Sequence, residues 1–172
     1  IDEQKIQAGA KLVTKLWNVA RFSQRFLTIR PSDYPTIRLT PADHWILARV
    51  QQLIERVTRL YVEHDYATAK SEIEAFFWRD LADNYLEMAK LRLYAGRPEA
   101  DGAKLALYSA LLTTLKLFAP LLPYVTDEIY QGLFAETDGA ASIHLARWPE
   151  VDERWVDDTA VSLGEILIEI AT

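Results

Sequence analysis

The stretch from Asp101 to Ala119 constrains the fold more than any other part of the chain. Its apolar residues, Leu105-Ala106-Leu107 and Leu111-Leu112 among them, fall on nearly every side of a helix. A helix without a polar face has to be enclosed by other helices. The same periodicity predicts its neighbours. A first helix runs from about Asp2 to Thr28, with Leu12, Leu16, Val19, Ala20 and Leu27 on one broad side at ~100° per residue. Thr40-Pro41-Ala42-Asp43 opens a second, with Thr40 as N-cap, Pro41 at the first position and Asp43 in the first turn. Trp45, Ile46, Val50, Leu53, Ile54, Val57 and Leu60 form its stripe, and it ends near His64. A third starts around Tyr66, carries Ala69, Ile73, Phe76, Phe77, Leu81, Tyr85 and Met88, and stops near Tyr94 before Gly96 and Pro98.

Pro31, Pro35 and Pro41 mark the first loop. Pro120 and Pro123 break the central helix, and a short one follows through Thr126, Ile129, Tyr130, Leu133 and Phe134. Gly139 begins a turn, and Ser142 to Pro149 reads as an extended tail anchored by Trp148. A last helix, about Asp157 to Ile170, has a stripe of Val161, Ile166, Leu167 and Ile170. The expected fold is all-α: an antiparallel helical bundle of four to five helices with an extended tail and one additional C-terminal helix. Residues 1–150 read as the bundle, and 151–172 as the start of a following region or an added helix.

Composition excludes several function classes. There is no cysteine, hence no disulfide and no thiolate metal site, and His44, His64 and His144 are scattered singly, against a zinc site. The six glycines are dispersed, with no phosphate-binding loop, and no nucleophile sits in a motif. Asp80, Asp83 and Glu87, spaced i, i+3, i+7, share one face of a regular helix. Such a group can do acid–base work or hold a divalent ion. No second helix offers matching ligands, so pairing with Arg79, Lys90 or cations of the first helix is the stronger expectation. No catalytic residue, metal site or cofactor site is therefore expected in this chain. No apolar run reaches the ~18 residues of a membrane span, and no signal-peptide pattern is seen, so no membrane association and a cytoplasmic location are expected. The chain begins at Ile1 and its only methionine is Met88, which reads as a piece of a longer polypeptide.

The net charge of −6 counts against indiscriminate polyanion binding but not against a local basic patch. Lys5, Lys11, Lys15, Arg21, Arg25 and Arg30 face only Asp2 and Glu3 in the first 30 residues. Lys11, Lys15, Asn18, Arg21 and Arg25 fall within an arc of roughly 120°, and Phe22 projects into it. Rings among cations suit a nucleic acid, because bases stack on rings while cations hold phosphates. The alternative is a solvated charged face with Phe22 packed under a second helix.

Several segments go beyond pattern. They are Lys15 to Phe22 (KLWNVARF), Phe76-Phe77-Trp78-Arg79-Asp80, Asp83 to Glu87, Phe118 to Tyr130, and Ser142-Ile143-His144 with Trp148-Pro149. In this order and spacing they resemble the anticodon-binding helical bundle of valyl-tRNA synthetase, over about Asp2 to Pro149. Synthetases for isoleucine and leucine share the bundle, and the Lys-Leu-Trp-Asn and Asn-Tyr-Leu-Glu runs favour valine. The resemblance implies a tRNA-binding module gripping the anticodon stem-loop of valine tRNA, not a catalyst. Aminoacylation, with ATP and magnesium, would belong to a catalytic domain of the same parent chain, with the protein a monomer. On that reading Asn18 meets base edges or backbone, and Lys11, Lys15 and Arg25 meet phosphates. Arg21 reads a base or pairs with Asp83 or Glu87, and Trp17 and Phe22 are the stacking rings. The alternative function is a structural or protein-interaction bundle.

Overall fold

The computed structural model describes residues 3–27, 37–95 and 100–171, without the side chains of Lys5, Ala95, Ile170 and Ala171. Among these residues the structure is helical, with no strand. The elements are α1 (Glu3–Ser23), α2 (Pro41–Val62), α3 (Tyr66–Ala75) and, after a π-helical stretch (Phe76–Tyr85), α4 (Leu86–Ala95). They continue with α5 (Ala100–Phe118), α6 (Pro123–Leu133), α7 (Ala135–Asp138), a 3-10 turn (Glu153–Trp155) and α8 (Asp158–Ala171). The central helix is α5, packed against α2, α3, α4, α6 and the π-helical stretch. Leu105, Ala106, Leu107, Leu111, Leu115, Leu117 and Phe118 are all buried.

Ion pairs report the antiparallel run of α2 against the α3–α4 rod. Arg56 meets Glu72, Arg49 meets Asp80, and Asp43 meets Arg92, so rising numbers on one rod pair with falling numbers on the other, reversed in order. The reversal is made at His64, whose φ of +62° is left-handed. Asp65 then caps α3 by accepting from the Thr68 amide at 3.1 Å.

Asp43 does more than close the first turn of α2. Fully buried, its carboxylate accepts from the Thr40 amide (2.9 Å) and hydroxyl (2.8 Å), the Tyr85 hydroxyl (2.6 Å) and both terminal nitrogens of Arg92 (2.7 and 2.8 Å). A buried carboxylate needs this many donors to offset its lost hydration. Burial and the neighbouring carboxylate push the Tyr85 hydroxyl well above its usual range, so it stays a donor.

The structure departs from the periodicity at four places. First, α1 ends at Ser23 and the chain turns there, with the Phe26 and Leu27 amides donating to the Ser23 carbonyl and Phe26 buried. Thr28, Pro31, Pro35, Gly96 and Pro98 lie outside the described residues. Second, the widened π-helical turns undo the shared face expected of Asp80, Asp83 and Glu87. Asp80 turns inward onto Arg49 and Arg79, while Asp83 pairs with Lys15 and Glu87 with Lys90. Third, the start of the tail coils into a turn rather than running extended. Asp127 of α6 accepts from the Ser142 hydroxyl (2.8 Å) and Ile143 amide (2.9 Å), which hold its carboxyl below the usual carboxylate range. The tail then extends to Trp148, whose indole donates to Thr58 (2.8 Å) and meets Tyr61 edge-on, the expected anchor. Gly139, at φ +83°, supplies the left-handed turn before it. Fourth, α8 turns Ala160 and Gly164 inward onto α2, and Leu163 and Ile166 outward. A Cβ on Gly164 would collide with the Trp45 ring, so the close approach requires glycine.

Candidate nucleic-acid interface

Leu12, Leu16, Val19, Ala20 and Ser23 are the buried side of α1. One hundred degrees per residue therefore sends Lys11 and Asn18 outward, and both are exposed, as is Arg25 in the turn that follows the helix. None of them makes a side-chain hydrogen bond or ion pair among the described residues. The expected arc is thus real, but its flanks are occupied differently from its centre.

On one flank, Lys15 leans toward the π-helical stretch and Phe22 toward α4. The Lys15 ammonium is 3.2 Å from Asp83 and 5.2 Å from the centroid of the Trp78 ring. Phe22 is half-buried, 5.2 Å from Phe26 and 6.1 Å edge-on from Tyr94. Tyr94 is 61 % exposed and caps this cluster. Periodicity had no way to register it as a neighbour of Phe22.

On the other flank, Trp17 is 41 % exposed. With Arg21 and Gln24 it forms one wall of a cleft of ≈ 150 Å³ whose other wall is Glu128, Ile129 and Gly132 of α6. Arg21 pairs with neither Asp83 nor Glu87, which are held by Lys15 and Lys90. Sequence reasoning missed Gln24, Glu128 and Gly132. The one signal was Gly132 itself, a glycine inside an otherwise regular helix.

Among the described residues no cluster of three or more acids, histidines or cysteines could hold a metal, and no helix is long and apolar enough to cross a membrane. What the α1 surface offers is uncommitted cations, an amide, two accessible rings and a cleft. Such groups can bind phosphates and bases.

Comparison with known proteins agrees with that chemistry. The family described as the anticodon-binding domain of tRNA ligase matches residues 43–172. The valine–tRNA ligase of Thermococcus kodakarensis is 40 % identical over 97 % of the chain, and that of Methanopyrus kandleri 41 % identical over 97 %. The valine–tRNA ligase of Wolbachia pipientis wMel is 36 % identical over 98 %. These alignments extend over α1, which lies before the residues the family matches. The chain spans about a fifth of the length of these relatives, 18–19 %.

Proposed function

From a chain that belongs to the anticodon-binding domain family of tRNA ligases, we propose a module that grips the anticodon stem-loop of valine tRNA within a valine–tRNA ligase. The observation that carries the reading is the outward surface of α1 and of the turn that follows it. Lys11, Asn18 and Arg25 have no partner among the described residues, and the cations are concentrated there although the chain as a whole is acidic. Lys11 and Arg25 hold phosphates, Asn18 meets a base edge or sugar, and accessible rings stack unpaired bases. Lys15 reaches a phosphate only by leaving Asp83, so its contribution is the smaller. In this reading the chain contributes recognition alone. Valine activation and transfer, with ATP and magnesium, belong to a catalytic domain elsewhere in the polypeptide, which works as a cytoplasmic monomer.

The test is a titration of anticodon stem-loop RNA into the full-length protein across a salt series. Replacing Lys11 and Arg25 with alanine weakens binding and lowers the log–log salt slope by about 1.5, because each phosphate contact contributes about 0.7–0.9. An unchanged slope, or binding indifferent to the anticodon sequence, sinks the reading.

A further inference from the structure

The cleft between α1 and α6 contains a glycine that the fold does not need. Gly132 is the next-to-last residue of α6, and glycine is a weaker helix former than alanine. Nothing lies within 4 Å of where its Cβ would stand, and its φ is not left-handed. Neither close packing nor backbone geometry therefore accounts for it, in contrast to Gly164 and Gly139. What its missing side chain leaves is open space in the cleft.

The other walls say what that space accepts. Trp17 supplies a flat aromatic surface and Ile129 an apolar floor. Glu128, Gln24 and Arg21 edge the cleft and have no side-chain partner among the described residues. Lys11, Asn18 and Arg25 continue the surface from Arg21 around α1, so an RNA backbone crossing those cations passes the mouth of the cleft.

We infer that this cleft takes one unstacked nucleobase of the bound RNA, stacked on Trp17, with Glu128 accepting a hydrogen bond from its amino group. The inference rests on the proposed anticodon-binding reading and adds a site and a preference to it. An ionised carboxylate only accepts, so it selects adenine, cytosine or guanine over uracil, which has no exocyclic amine. Gln24 complements either a donor or an acceptor on the base, and Arg21 bridges the cleft to the adjacent phosphate.

The experiment is a double-mutant cycle in the full-length protein. The probe is the anticodon stem-loop RNA of valine tRNA, intact or abasic at each loop position in turn. Gly132→Leu fills the cleft and loosens binding by roughly tenfold to a hundredfold, the range of one lost base stack. At one loop position the abasic RNA loses the same factor, and Gly132→Leu then costs nothing more. Glu128→Gln, an exposed change that does not threaten folding, reduces discrimination against uracil at that position by roughly tenfold. Equal binding by the wild type and Gly132→Leu, or additive losses at every position, overturns the inference and leaves the proposed function standing. A Gly132→Leu protein that binds RNA normally but melts earlier assigns the cleft to a side chain from another segment of the polypeptide, and overturns it too. If the wild type binds no stem-loop, both proposals fail together.

Discussion

Replacing Asp43 with asparagine removes one charge and almost no volume, so its cost isolates the electrostatics of the buried cluster. Five donors converge on this carboxylate. Asparagine still accepts at one oxygen, but its amide nitrogen turns donors toward donors. Arg92, only 13 % exposed at its side chain, loses its countercharge. Breaking a buried pair from one side costs about 3–5 kcal/mol, and partial access of Arg92 to water argues for the lower part of that range. At about 3–4 kcal/mol, the melting temperature of a domain of this size falls by roughly 6–16 °C. Tyr85→Phe deletes one of the five donors and costs about 1 kcal/mol, the worth of a single net hydrogen bond. Adding Arg92→Met to Asp43→Asn removes the charge that Asp43 offset, so the double variant is less destabilised than the sum of the singles by about 1–3 kcal/mol. Urea denaturation followed by far-UV circular dichroism measures the wild type, the three single variants and the double variant. Asp43→Asn within about 0.5 kcal/mol of wild type, or strictly additive singles, refutes the idea that the carboxylate organises this end of the bundle.

Gly164→Ala forces a methyl group into the Trp45 ring and destabilises by about 1–3 kcal/mol, the overpacking range, despite alanine's better helix propensity. Gly9→Ala in α1, where nothing approaches the new methyl, stabilises by up to ~1 kcal/mol in the same thermal melt. The Asp127 carboxyl is lowered when folded, so its contribution is fully present above the ordinary unfolded value of 3.8 and is lost as pH falls through the lower folded value. The Ile143 amide resonance therefore holds its position down to about pH 4 and shifts below it. Asp127→Asn abolishes that acid shift, and a shift persisting in the variant rules out this carboxylate as its source.

Helix existence was legible because it follows from burial repeated every three or four residues, which only the local sequence has to encode. Thr40-Pro41 likewise marks a helix start by chemistry internal to the turn. The misread details all depend on partners far away in sequence. Asp80 points inward because Arg49, 31 residues earlier, is waiting for it, and the π-helical turns provide the extra rotation. The tail coils at Ser142 because Asp127 presents a carboxylate there. In α8 the apolar residues promised one stripe, yet the small ones face α2, because proximity to Trp45 rewards a missing side chain over a large one.

The same distinction explains the candidate site. Periodicity assigned each residue of α1 an angle, and the angles held as far as Ser23, where the helix ends, but an angle does not name the neighbour found there. Lys15 and Phe22 share the arc with Asn18, yet Asp83 and Tyr94 reach them from 68 and 72 residues away in sequence. Trp17 leans toward the apolar side and still remains accessible, because α6 meets α1 with a glycine rather than a bulky residue at the cleft. This surface is therefore divided by its neighbours: a central strip of cations and an amide without partners among the described residues, a flank of rings braced against α4, and a flank opening into the α1–α6 cleft. A phosphate backbone can follow the strip without disturbing the fold. Loss of Lys11 or Arg25 therefore weakens RNA binding without lowering stability, whereas loss of Lys15 disturbs its pairing with Asp83 as well.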